Sequence, residues 1–178
     1  MKDFVADMKA IREQARKDIE DGAVTSNYRA DPESVIKVLN DALATEIICV
    51  LRYRRHYFTA RGIHSKAIAE EFMTHSVEEQ GHADTLAERI SQLNGEPDLN
   101  PAGLSSRSHS EYKEGSDLIS MIREDLIAER IAIESYTEII RWLGEADPTS
   151  RRLIEGILEV EEEHAEELAN LLTSLSST

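Results

Sequence analysis

Residues 70–90 read EEFMTHSVEEQGHADTLAERI, and inside that run Glu79-Gln80-Gly81-His82 places a histidine three residues after a glutamate. The same pair returns 82 positions later, as Glu161-Glu162-Glu163-His164. On a helix, residues i and i+3 lie on one face a turn apart, so a Glu and a His at this spacing both reach a single metal centre. One such pair carries little weight in an acidic chain. Two pairs, each on an amphipathic stripe, point to two metal ions inside a helical bundle.

Around the first pair, Phe72, Glu79, His82, Ala83, Leu86, Ile90 and Leu93 recur at helical spacing. They predict a helix from near Ser65 to the glycine stop at Asn94-Gly95. Upstream, Asp31-Pro32 is an N-cap followed by proline at the first helical position, where its missing N–H costs nothing. That helix should run to about Arg61, burying Leu39, Leu43, Val50 and Tyr53, with Glu46 inside the same stripe. Around the second pair, Asp147-Pro148 repeats the start and opens a helix to roughly Leu175, with Ile154, Leu158, Glu161, His164, Ala165, Leu168 and Leu172 facing inward. A further helix from near Ser116 to Leu143-Gly144 carries Ile122, Leu126, Glu129, Ile133, Tyr136 and Ile140.

The stretch from Gly95 to about Gly115 is too long for a tight helical hairpin and predicts a crossover that starts the next helix at the far end of the bundle. At the N-terminus, residues 2 to about 20 set Phe4, Val5, Met8, Ile11, Ala15 and Ile19 on a narrow apolar stripe, a short amphipathic helix ended by Asp21-Gly22. The expected architecture is all-α. An N-terminal helix and linker occupy residues 1–30, and a four-helix bundle with a long crossover between its second and third helices occupies 31–178.

Composition agrees. With 178 residues and 40% hydrophobic content the chain sustains one core, and four prolines and eight glycines leave room for few, long helices. No apolar run reaches spanning length and the first residues are charged throughout, so neither a membrane span nor a secretory signal is expected, and a cytoplasmic protein is the default reading. The single Cys49 forms no intrachain disulfide, in keeping with a reducing compartment. A net charge of −15 repels phosphate backbones and attracts cations, which argues against DNA as a partner.

Four carboxylates thus sit on otherwise apolar stripes. Glu46 lies 15 residues after Asp31, Glu79 14 after Ser65, Glu129 13 after Ser116 and Glu161 14 after Asp147. In helices of about 28 residues, ~42 Å long, each lies near the middle whichever way its helix points. All four should meet at one level. Carboxylates held together in an apolar interior stay ionised only if cations compensate them; otherwise their pKa values rise. Two divalent ions would supply the compensation, and a mixed carboxylate and imidazole donor set suits Fe or Mn better than Ca or structural Zn. Tyr53 and Tyr136 each follow the first Glu of their half by seven residues, and read either as core aromatics or as hydrogen-bond donors to a carboxylate. His75, one turn before Glu79, is the candidate for a supporting role. His56, His64 and His109 read as structural or surface residues, and Cys49 as a small core residue.

With LATEIICVLRYRRHYF, EEQGHADTLAERI, LIAERIAIESY and EVEEEHAEEL in place, the chain resembles the ferritin-like superfamily over about residues 31–175, most closely its bacterioferritin and Dps-like branch. The resemblance implies Glu46 and Glu129 as terminal ligands, Glu79 and Glu161 as bridging carboxylates, and His82 and His164 as the imidazole ligand of each iron. It implies a ferroxidase: Fe(II) oxidised by O2 or H2O2, with Fe(III) stored inside a hollow homo-oligomer. Where the family's haem-binding Met directly follows the bridging Glu, this chain has Gln80, which argues against haem. Almost nothing follows the fourth helix, which favours a dodecameric, Dps-like shell over the larger cages. The alternative is a rubrerythrin-like di-iron peroxidase without a mineral core, but such proteins carry a further Glu where this chain has Ala132.

Overall fold

The computed structural model describes residues 6–17, 19, 22–63 and 65–176. Four long helices form the bundle: α2 (Pro32–Thr59), α3 (Ser65–Gln92), α5 (Leu118–Leu143) and α6 (Pro148–Ser176). Two short ones accompany them, α1 (Met8–Gln14) and α4 (Pro101–Arg107). No strand occurs among the described residues, and no described helix is long and apolar enough to cross a membrane.

The helix ends follow from local chemistry. Asp31 accepts a hydrogen bond from the Ser34 amide at 3.1 Å, and Asp147 one from the Ser150 amide at 2.9 Å, so each satisfies a donor that the first helical turn leaves free. α5 is capped one residue later than expected, by Asp117, which forms a reciprocal capping box with Ser120. α3 stops where Asn94 takes φ 64°. Gly95 must follow, because a Cβ there would lie 2.9 Å from the Ile36 side chain.

α2 and α3 pack as an antiparallel hairpin, and so do α5 and α6. The segment between them climbs along α2, as expected of a crossover. Asn40 bonds Glu96 and Asp98, Thr45 Oγ1 receives the His109 amide, Arg52 reaches the Glu111 carbonyl and His56 the Glu114 carbonyl. α5 therefore starts at the C-terminal end of α2 and runs antiparallel to it. The crossover also holds α4, whose buried Leu104 packs on Ala44 and Ile48 of α2.

The core has two apolar layers. One is built around Leu39, Leu43, Leu86, Ile90, Tyr136, Leu143 and Ile154, and the other around Tyr53, Phe72, Ile122 and Leu168. Phe72 is fully buried. On α5 the buried line passes through Ala132 and Ile139, with the expected Ile133 and Ile140 half-buried beside it, and on α6 Ile157 replaces Leu158 in the same way. The cause is a stripe wider than one residue, in which the inward position is chosen by the facing helix.

α1 is shorter than the stripe from 2 to 20 allows, and none of its described residues is buried, so it lacks the buried face that stabilises a longer helix. Phe4 and Val5 of that stripe lie outside the described residues, as does His64. The linker is anchored nonetheless: Val24, Tyr28 and Ala30 pack on the first core layer, and the Tyr28 hydroxyl donates to Asp147 at 2.7 Å.

Candidate metal centre

Between the two apolar layers, α2, α3, α5 and α6 each turn one glutamate inward. Glu46, Glu79, Glu129 and Glu161 are all essentially inaccessible to solvent. His164 is buried with them, and His82 keeps 13% of its side chain exposed. The six candidates thus come together, and they do so as two overlapping groups. Glu46, Glu79, His82 and Glu161 offer ligand atoms within 4.8 Å of one another, and so do Glu79, Glu129, Glu161 and His164. Glu79 and Glu161 belong to both groups, so each can bridge two ions. Glu46 with His82, and Glu129 with His164, would then complete the donor set of one ion each.

The buried donor inventory fits metal ions. Glu46 Oε2, Glu79 Oε1, Glu129 Oε2, both Glu161 oxygens and His164 Nδ1 have no hydrogen-bond partner. An isolated buried polar atom of this kind costs roughly 1–3 kcal/mol, and six converging on one place call for cations. His82 Nδ1 lies 3.0 Å from Glu161, 3.3 Å from Glu46 and 3.3 Å from Glu79. His164 Nδ1 lies 3.6 Å from Glu79 and 3.7 Å from Glu161.

The outer oxygens of the two end carboxylates are held by tyrosines in a crossed pattern. Tyr53 of α2 donates to Glu129 of α5, while Tyr136 of α5 donates to Glu46 of α2. Of the two readings open for these tyrosines, the hydrogen-bond donor is the one observed. His164 is oriented in turn by Glu78, whose carboxylate lies 2.9 Å from Nε2. Glu78 escaped the sequence reading because it faces outward from α3 and its partner lies on another helix. His75 supports the centre as expected, with Nδ1 3.2 Å from the Tyr53 hydroxyl and its ring stacked on His164 at 4.0 Å. Cys49 is a buried core residue, and His56 is a structural one, bonded to Asp125 at 2.8 Å.

Removing either tyrosine hydroxyl should loosen one end of the centre. Tyr53→Phe and Tyr136→Phe are each expected to weaken binding of one divalent ion by about 10- to 100-fold without unfolding the bundle. Competitive titration with a chelator reads this directly; unchanged affinity in both variants would show the tethers to be idle.

The electrostatics show what a metal has to displace. Burial would lower the His82 imidazole, but the carboxylates of Glu161, Glu46 and Glu79 gathered around its Nδ1 outweigh it and hold it up to about 12. His164 is held up to about 10 against the same pull of burial by Glu161 and Glu79. Burial pushes Glu79 up, yet His164, His82 and Glu46 bring it below the usual carboxylate range. Glu46 and Glu129 go the other way, raised by burial and then by the charges of Glu79 and Glu161.

In the metal-free chain, the imidazolium contribution to stability is complete below the ordinary value of 6.5 and is lost as pH rises through about 10 and about 12. The Glu79 contribution is present above its ordinary value of 4.5 and is lost as pH falls toward its folded value. Metal ions compete with these protons. Loading the centre near neutral pH is expected to release roughly two to four protons per chain, from His82, His164, Glu46 and Glu129, and affinity should rise with pH. A metal titration in weak buffer with an indicator dye would contradict this if no proton appeared.

Known proteins share this sequence pattern and fold. A family model described as "Ferritin-like domain" matches residues 36–178. The DNA protection during starvation protein of Pyrococcus furiosus is 31% identical over 150 residues, which cover 83% of this chain and 81% of that one. A solved structure described as a dodecameric thioferritin, the bacterioferritin-related protein of Bacteroides fragilis, superposes with a TM-score of 0.80 at 30% identity, over 84% of this chain and 90% of that one. The bacterioferritin of Desulfovibrio desulfuricans, described with its diiron site in different catalytic states, superposes with a TM-score of 0.73 at 25% identity over 82% of each chain. With a family model spanning most of its length, and with such relatives, this chain belongs to the family of ferritin-like domains, on its bacterioferritin and Dps-like side.

Proposed function

We propose that this protein stores and detoxifies iron, oxidising Fe(II) at a di-iron centre formed by Glu46, Glu79, His82, Glu129, Glu161 and His164. The observation that carries the reading is the pair of overlapping donor groups that share Glu79 and Glu161. Two carboxylates common to both donor groups would hold two ions as neighbours, so that together they could supply two electrons to one oxidant. In that reaction two Fe(II) become two Fe(III), and either H2O2 with two protons becomes two waters or O2 with two protons becomes H2O2. His82 and His164 would give each ion one imidazole, and the crossed tyrosine tethers would keep Glu46 and Glu129 oriented toward the ions. Iron is preferred to manganese because the relatives described by their metal are di-iron proteins.

The chain is read as forming a hollow homo-oligomer, with a dodecamer preferred. The Bacteroides fragilis relative is described as dodecameric. On α2, Leu51 and Phe58 are exposed seven residues apart, and Val77 is exposed on α3, an apolar surface of the kind that subunit contacts cover. The acidic surplus favours cation uptake and opposes DNA coating, whatever the names of the Dps relatives; retention of duplex DNA at low salt would contradict the latter.

Size exclusion with light scattering, before and after Fe(II) and peroxide are added, tests the whole reading. A shell that takes up many irons per chain is expected. A small oligomer that stops at two irons per chain would instead favour the peroxidase alternative.

A further inference from the structure

Outside the dinuclear centre, α3 and α6 bring together a second kind of donor cluster. Glu71 and His75 of α3 and Glu167 of α6 offer ligand atoms within 4.8 Å of one another. His75 Nε2 lies 2.9 Å from Glu167 Oε2 and 3.7 Å from Glu71 Oε1. The two carboxylates are partly open to solvent, with 38% and 44% of their side chains exposed, whereas the imidazole is buried at 1%.

The surroundings of His75 make it a convergence point for donors. The Tyr53 hydroxyl gives its one proton to Glu129 and so can only accept from His75 Nδ1, 3.2 Å away. Nε2, buried and facing Glu167 and Glu71, is placed to share one cation with both carboxylates, a role that a proton or a metal ion can fill. A histidine whose second ring nitrogen donates to a fixed acceptor is also how proteins orient an imidazole toward a metal. The crowding is visible in Glu71, whose carboxyl is raised by partial burial and by the nearby Glu167 charge, with His75 pulling the other way.

We propose that Glu71, His75 and Glu167 form a third divalent-cation site on the α3–α6 face, between solvent and the dinuclear centre. Its donor set is one imidazole nitrogen and two carboxylate oxygens, which suits Fe(II), Mn(II) or Co(II) and leaves the remaining positions to water. Its ring stacks directly on that of His164, so a cation here is a neighbour of the dinuclear centre rather than part of it. The site rests on the dinuclear reading for its setting and not for its ligands.

Co(II) binding to the assembled protein, measured by equilibrium dialysis with metal counting, decides the matter. Glu71→Gln with Glu167→Gln is expected to lose one ion per chain relative to the wild type, and Glu167→Gln alone to weaken that ion by about tenfold or more. Both positions are partly exposed, so the helical signal should be unchanged. Glu79→Gln with Glu161→Gln should lose the dinuclear ions and keep this one. A Glu71/Glu167 double variant that binds as many ions as the wild type overturns the third site. If instead the Glu79/Glu161 double variant keeps its full count while the Glu71/Glu167 variant loses one ion, the dinuclear reading fails and the third site stands.

Discussion

Replacing Glu79 and Glu161 together by Gln is expected to reduce rapid Fe(II) oxidation by ~100-fold or more while the chain still folds and assembles. Loss of a merely orienting partner already costs about 10–100-fold at metal sites, and these two carboxylates occur in both donor groups. A Gln keeps the volume and one oxygen of each side chain but removes the charge that holds two divalent ions near each other. Folding should survive, because the layers on either side of the centre, around Leu86 and Ile154 and around Phe72 and Leu168, do not involve the carboxylates. Stopped-flow absorbance after anaerobic mixing with Fe(II) and then oxidant gives the rate, and light scattering gives the assembly. Undiminished oxidation would sink the assignment of the centre.

The second large effect concerns stability. Asp125→Ala should destabilise the chain by about 3–5 kcal/mol, the cost typical of breaking a buried ion pair by removing one partner. Asp125 accepts from Arg52 Nε at 2.8 Å and faces His56 Nδ1 at 2.8 Å, and all three side chains are inaccessible to solvent. Removing the carboxylate strands a guanidinium whose remaining contacts among the described residues are the Glu111 carbonyl and the Cys49 sulfur, each at 3.4 Å, and the Tyr53 ring at 5.7 Å. Because Arg52 and His56 also bind the crossover at Glu111 and Glu114, the loss should spread to residues 108–116 as increased amide exchange. Replacing the pair by apolar residues of similar volume, Arg52→Met with Asp125→Leu, is expected to recover part of the stability, because His56 Nδ1 still loses its partner. Urea unfolding at fixed protein concentration makes the comparison. An Asp125→Ala variant as stable as the wild type would show that Arg52 finds water or another partner.

The sequence by itself determined the four long helices and the level at which their glutamates meet. Asp31-Pro32, Asp147-Pro148, Asn94-Gly95 and Leu143-Gly144 mark helix ends through cap chemistry that acts within a few residues. Periodicity then places Glu46, Glu79, Glu129 and Glu161 on inward stripes, and a helix rises by a fixed amount per residue, so their depth follows from counting. Short-range rules suffice for that. They do not suffice where a residue's role depends on what faces it. α4 starts with Asn100-Pro101, the same kind of signal, but seven residues with one buried leucine leave no period to read. In the run LRYRRHYF the period singles out Tyr53 and not Arg52, yet Arg52 is inaccessible because the crossover passes over it and Asp125 arrives from α5. Glu78, Glu71 and Glu167 look like ordinary solvated acids until α3 and α6 pack and bring His164 and His75 within reach. Tertiary structure decided these pairings because an ion pair or a ligand set is a property of distance in space, and residues some 90 positions apart, such as His75 and Glu167, acquire it only when the helices dock.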